Sequence, residues 1–269
     1  VSVIANEDSP MYLAPLATFH GGTGKALDQL VDAYKNDTGV SWDDIGNDAR
    51  ESQASMNLPF FKHYLPGILE SILDQNTVEK LKTSGGRVAD VGGGYAHSSI
   101  AIAKHFPAAM VDVYDLDEPS IAAAKINIEA WGLSDRVTAI CADAATVLKE
   151  NDSKPCDLVV ALECIHDLGD PISVLRTMRE MAGDEGTVIV MDEPVLEKFS
   201  SDANPTEQGM YGFSCLCCLA DGKSQPGSVE TGAVMRPSVL RMYAQQAGFR
   251  EMEKLDVDTD SFYFYKLVN

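Results

Sequence analysis

The pattern of apolar and polar positions changes character near residue 85. Before it, Leu27, Leu30, Val31 and Tyr34 recur at helical spacing, as do Phe60, Tyr64, Ile68, Leu69 and Ile72, the second set interrupted by Pro66-Gly67. No strand pattern occurs there, so residues 1–84 are expected to form a helical cap. From Arg87 onward, short apolar runs alternate with helix-length segments. The runs Arg87–Val91, Met110–Tyr114, Arg136–Cys141, Asp157–Leu162 and Gly186–Asp192 predict five strands, the fourth continuously apolar like a strand covered on both faces. Helices are expected from Ser98, over Pro119–Trp131 with Gly132 at its end, and over Pro171–Ala182. The alternation stops over 194–235, an insertion rich in Gly, Ser, Met, Phe and Cys, and insertions of this length usually carry function. A helix at Ser238–Gly248 and strands around Glu251–Asp256 and Ser261–Val268 close the chain. The expected fold is α/β, a doubly wound seven-stranded sheet over residues 85–269 with an N-terminal helical cap.

The chemistry of that sheet is concentrated at its first turn, Asp90-Val91-Gly92-Gly93-Gly94-Tyr95-Ala96-His97. A ligand approaches the main chain closely only where no Cβ intervenes, and a helix starting there offers free N–H groups and a positive dipole end. This marks a nucleotide-handling turn. A dinucleotide fingerprint needs a third glycine where His97 stands, and a P-loop needs Gly-Lys-Ser/Thr at its end. Neither is present. Gly21-Gly22-Thr23-Gly24-Lys25 lacks a preceding strand and is expected to be a loop between helices. The polar stretch from Trp42 to Asn57 is expected to cross the surface near the cofactor mouth.

The remaining pattern, Asp90-x-Gly92-x-Gly94 after a strand, resembles motif I of class I S-adenosylmethionine (SAM) dependent methyltransferases. Almost the whole chain is similar to bacterial-type small-molecule methyltransferases that usually carry an N-terminal winged-helix domain. Asp8-Ser9-Pro10-Met11-Tyr12-Leu13, Asp115-Leu116-Asp117-Glu118, Glu163-Cys164-Ile165-His166-Asp167, Met191-Asp192-Glu193, Met210-Tyr211-Gly212-Phe213-Ser214 and Met235-Arg236-Pro237 carry that likeness. It implies a Rossmann-like class I methyltransferase sheet and SAM as cofactor, with S-adenosylhomocysteine as product. It also implies a SAM site of Asp90, Gly92, Gly93 and Gly94, with Asp115 on the ribose hydroxyls, Leu116 against the adenine, and Asp143 with Ala144 near the adenine amino group. A carboxylate can accept two hydroxyl protons at once, which suits the ribose position. No winged-helix segment is recognised, and the chain opens on Val1, as a trimmed chain would.

Charge and composition narrow the partners. Acidic residues outnumber basic ones 41 to 21 for a formal charge of −20, without a basic cluster, so nucleic acid and anionic membranes are not expected partners. A small-molecule acceptor is expected, with a homodimer as an assembly to test. No signal-peptide or membrane-span pattern occurs, so a cytoplasmic location is expected. The six cysteines lack zinc spacing and are expected to be reduced, apolar fillers with no metal bound. Cys215, Cys217 and Cys218 could bind a soft metal or arsenic, but Phe213, Leu216 and Leu219 around them favour an apolar helix face.

Ligands of open α/β sheets sit beyond the carboxyl ends of the strands, which directs attention to the residues after Leu162. Methyl transfer from a sulfonium is an in-line displacement that needs alignment and, for an acidic acceptor, removal of a proton. His166 suits that removal, and His166-Asp167 resembles the His-Asp of plant-type O-methyltransferases, whose histidine is the base. Glu163 is expected to receive the methionine ammonium of SAM or to position the acceptor. Asp167 is expected to orient His166 or to cap the next helix. Tyr12 and Phe19 from the cap, with Met210, Tyr211 and Phe213 from the insertion, are expected to enclose an apolar acceptor. O-methylation leads. Rivals are S-, N- or metalloid methylation, and a SAM-sensing regulatory protein without catalysis.

Overall fold

The computed structural model describes residues 1–145, 155–202 and 205–269. Its sheet grows outward from β1 (Arg87–Val91), which pairs in parallel with β2 (Met110–Asp115) on one side and β4 (Leu158–Leu162) on the other. Next come β3 (Val137–Cys141), parallel to β2, and β5 (Thr187–Asp192), parallel to β4. The chain then reverses: β7 (Tyr263–Val268) runs antiparallel to β5, and β6 (Glu251–Leu255) closes the edge antiparallel to β7. The order is β3-β2-β1-β4-β5-β7-β6. All residues of β4 and β5 are buried, whereas β3 and β6 at the edges mix buried and exposed positions. That contrast is what helices on both faces of the centre produce.

The cap comprises α1 (Pro15–Lys25), α2 (Leu27–Lys35), α3 (Trp42–Ile45), α4 (Asn47–His63), α5 (Leu65–Ile72) and α6 (Gln75–Glu79). The glycine-rich run expected as a loop is instead the second half of α1. Gly22 makes this possible, because a Cβ there would lie 2.8 Å from the Ala49 nitrogen of α4, so the two helices cross in close contact. The polar stretch from Trp42 is likewise α3 and the first turns of α4, wound so that Arg50, Gln53 and Asn57 face inward while Asp43, Asp44 and Glu51 stay exposed. Downstream follow α7 (His97–His105), α8 (Glu118–Ala130), α9 (Pro171–Ala182) and α12 (Pro237–Ala247). Asp117 and Asp170 accept from the Ser120 and Ser173 nitrogens and so cap α8 and α9, each with proline in its first turn.

Within the described part of the insertion lie α10 (Pro205–Phe213), a π-helical turn at Ser214–Cys218, and α11 (Leu219–Ser224). These do not stand apart. Phe19, Leu30, Val40 and Ala49 of the cap share one apolar cluster with Cys217 and Ala220 of the insertion, and Phe19 packs on Phe213 with ring centroids 5.3 Å apart. Gly39 is the tightest point of this seam. A Cβ there would meet the Ser224 nitrogen at 2.1 Å and the Ala220 oxygen at 2.4 Å, both backbone atoms. Gly39→Ala should therefore destabilise the fold by roughly 1–3 kcal/mol, as overpacking does. Gly67→Ala, whose Cβ meets nothing within 4 Å, should leave stability unchanged or slightly raised. Urea unfolding of the two variants checks this.

Candidate active site

Beyond Val91 the chain turns flat across the top of the sheet. A Cβ on Gly92 would sit 2.6 Å from Cys164 Sγ, and one on Gly93 would sit 2.5 Å from Val113 Cγ1. Gly92 also has φ +72°, a conformation that favours glycine. The underside of the turn therefore packs on its own neighbours while its upper side borders the cavity. Asp90 anchors it from below: its Oδ2 accepts from Ser98 Oγ at 2.5 Å and Ser99 Oγ at 2.6 Å, both in the first turn of α7. Burial pushes this carboxyl up to about 6 against the opposing effect of the two hydroxyls. Asp90 was expected at the cofactor, but it is fully buried and does not line the cavity. Its contacts make it a strut for the turn.

Asp115 ends β2 with both oxygens held by main chain, Oδ1 by the Asp117 nitrogen at 2.9 Å and Oδ2 by the Gly94 nitrogen at 2.8 Å. Gly92, Gly93, Gly94, Asp115, Leu116, Asp143 and Ala144 all line the cavity, Leu116 with an exposed side chain. Asp117 has different partners. Arg50 of α4 clamps it, Nε to Oδ2 at 2.7 Å and Nη2 to Oδ1 at 2.9 Å, while its own Oδ2 caps α8. Burial alone would raise the Asp117 carboxyl, yet Arg50 and Ser120 outweigh it and hold it below its ordinary value.

At the end of β4, Glu163 adopts φ +62°, which aims its carboxylate at α4. There Asn57 Nδ2 donates to Oε2, and Gln53 Nε2 lies 3.4 Å from Oε1. Glu193 is its other partner. Burial pushes Glu163 up to about 7 and, with the neighbouring Glu163 charge, raises Glu193 well above the carboxylate range, so the site disfavours a charge on both. The short 3₁₀ turn Ile165–Asp167 then presents His166. Its Nδ1 meets Asp192 Oδ1 at 2.8 Å, and its Nε2 lies 3.4 Å from Asp167 Oδ1. Burial acts to lower the imidazole pKa, but the carboxylates of Asp167 and Asp192 outweigh it and raise it well above its ordinary value. The contact at Nδ1 is thus made by Asp192, and α9 is capped by Asp170; Asp167 does neither and stands on the Nε2 side.

These groups open into one cavity of ≈ 740 Å³, within the range of cofactor sites. His166, Glu163 and Asp167 line it together with Phe19, Met210 and Phe213. Tyr12 and Tyr211, expected in the acceptor wall, do not. Tyr211 is turned outward, 38% exposed, with its hydroxyl 2.9 Å from Arg236 Nη2. Five contributors escaped the sequence reading: Arg50, Gln53, Asn57, Asp192 and Glu193. The first three fall at i, i+3 and i+7 on α4, a polar stripe that a helical reading of this stretch would have aligned.

A central parallel sheet with the final strand inserted antiparallel, a glycine turn after β1 and a main-chain-held acid after β2 constitute the class I SAM-dependent methyltransferase fold. Residues 89–188 match the model of a family described as a methyltransferase domain. No curated protein matches in sequence. Among solved structures, PigF bound to S-adenosylhomocysteine superposes with a TM-score of 0.70 at 16% identity, over 97% of this chain and 75% of its own. The mitomycin 7-O-methyltransferase MmcR gives 0.67 at 17% identity, over 99% and 74%. The O-methyltransferase NcsB1 of neocarzinostatin biosynthesis, in complex with SAM and 2-hydroxy-5-methyl naphthoic acid, gives 0.58 at 20%, over 93% and 70%.

The strut at Asp90 has a measurable signature. With its pKa raised from 3.8 to about 6, the folded state keeps a proton that the unfolded state loses as pH rises from 4 to 6. The stability this proton supports is present below pH 4 and lost by the time pH passes 6. Asp90→Asn does not titrate, so its unfolding free energy relative to wild type should rise across that window, by on the order of 3 kcal/mol at most. Paired urea titrations at pH 4 and 7 measure the difference.

Proposed function

We propose that the chain is a SAM-dependent methyltransferase acting on a small molecule with an acidic hydroxyl, with His166 as general base. One observation carries this reading: His166, held at Nδ1 by the buried Asp192, opens into the same cavity as the glycine turn and Asp115. The residues fit the cofactor. The turn leaves bare main chain at the cavity, and Asp115, fixed by two backbone N–H groups, keeps acceptor capacity for a pair of ribose hydroxyls. Leu116 suits the adenine face, and Asp143 with Ala144 its edge. When bound, SAM supplies an electrophilic methyl group.

The chain's own residues do the rest. Asp192 holds Nδ1 of His166 and so fixes the ring while Nε2 takes the acceptor proton. The two flanking carboxylates raise that proton affinity, so the neutral ring that can accept a proton is favoured toward alkaline pH, and a phenol, still protonated there, is the acceptor this suits. Glu163 and Glu193 hydrogen-bond each other, so toward a bound molecule the pair offers its remaining carboxyl oxygens as hydrogen-bond acceptors. Phe19, Met56, Phe61, Met210, Phe213 and Phe262 form an apolar wall that excludes water. Residues 1–84 serve as the lid and 85–269 as the catalytic domain. The naphthoic acid bound by NcsB1 is an acceptor-sized aromatic acid and supports this class. Free thiols at all six cysteines suit the cytoplasm. Among the described residues no helix is long and apolar enough to cross a membrane.

Calorimetry with SAM, S-adenosylhomocysteine and NAD should show binding of the first two only, weakened at least about tenfold in Asp115→Ala. A preference for NAD, or no adenosyl binding, overturns the assignment. With a phenolic acceptor found by screening, His166→Ala should lower kcat by roughly 10²–10⁴-fold while SAM affinity is retained. A variant with near wild-type turnover would remove His166 from the mechanism.

A further inference from the structure

Where the insertion packs over the end of β4, three side chains with metal-binding atoms converge. They are His166, Asp167 and Cys218, whose ligand atoms all lie within 4.8 Å of one another. They come from segments about fifty residues apart in sequence, joined by the Gly232 nitrogen donating to the His166 oxygen at 3.0 Å and by Gln225 Nε2 donating to the Asp167 oxygen at 3.2 Å. The π-helical turn at Ser214–Cys218 matters here. One residue shifts a helical face by roughly 100°, so the extra residue of this turn sets which of the adjacent thiols reaches His166.

Three features suit a cation. Zinc bonds of about 2.0–2.2 Å to nitrogen and oxygen at a tetrahedral angle place those two atoms about 3.4 Å apart. His166 Nε2 and Asp167 Oδ1 are separated by 3.4 Å. Asp167 Oδ1 is also buried with no well-formed hydrogen bond, its neighbours being the other two donors of the cluster, a condition that coordination would relieve. Finally, Asp192 on Nδ1 of His166 is the carboxylate that metal-binding histidines commonly carry on their far nitrogen, leaving Nε2 for the ion.

We propose that His166, Asp167 and Cys218 form a binding site for Zn²⁺ or a similar borderline-soft divalent cation, with a fourth position open to the cavity that all three line. A nitrogen, oxygen and sulfur donor set suits zinc and cobalt; magnesium and calcium require oxygen ligands throughout. The site stands independently of the proposed reaction. Its consequence for turnover rests on His166 being the base: Nε2 cannot hold an ion and accept a proton together, so the occupied protein is inhibited.

The test uses the full chain, reduced and treated with chelator. Equilibrium dialysis against Zn²⁺ should give one ion per chain for wild type and for Cys215→Ser, whose thiol is exposed and outside the cluster. Cys218→Ser and Asp167→Asn should bind at least about tenfold more weakly, and Asp192→Asn about 10–100-fold more weakly. Co²⁺ should produce sulfur-to-cobalt charge-transfer absorption in wild type that is lost in Cys218→Ser. Equal zinc binding by wild type and Cys218→Ser overturns the site. So does a wild-type protein that binds no zinc or gives a cobalt spectrum without the sulfur band, a result that holds even if a variant fails to fold.

Discussion

The site depends on the ion pair between Arg50 and Asp117. Arg50 is only 3% exposed and spends three donor contacts on carboxylates of Asp117 and Asp43, with a fourth on Asn47. Removing either partner of such a buried pair costs about 3–5 kcal/mol, mostly because the survivor remains charged and unpaired. The pair's geometry matters more than its strength. Asp117 also caps α8 and lends its nitrogen to Asp115, so one guanidinium fixes the cap helix, the loop after β2 and the start of α8 relative to each other.

From this follows the placement of the rest of α4. With Arg50 fixed, Gln53 and Asn57 lie one and two turns further along the same face and reach Glu163 across the cavity. The cap thereby grips the sheet at two strand ends, after β2 and after β4, on either side of the glycine turn. A carboxylate pair that would repel in water is held together there because burial disfavours a charge on both.

The sheet was legible because its signals are local. The apolar runs of β1 to β5, the prolines opening α8 and α9, and Gly132 each report on their own neighbourhood, and the strand bounds differ from the pattern by a residue or two. The site was legible where a motif is contiguous, as in Gly92 to Gly94 and Glu163 to Asp167. It was illegible where a partner comes from a distant segment. Asp192 is 26 residues from His166 and reads in sequence as the end of a buried strand. Arg50 is 67 residues from Asp117 and sits in a stretch whose mixed polarity hid a helix that turns this one charge inward. Asp90 shows the opposite error: a motif residue at the right place, whose carboxylate the fold uses to hold serines.

The seam between α1 and α10 sets the terms of access. Phe19 and Phe213 belong to segments nearly two hundred residues apart, yet their contact roofs one cavity. A passage between the two rings would expose apolar surface worth about 1.5–3 kcal/mol per ring, whereas displacing cap and insertion as one body would keep it covered. The first route is a toll charged at every passage. The second leaves the seam intact and moves the cost to the Arg50 clamp, so that opening of the cavity there and the grip on the loop after β2 become a single mechanical event.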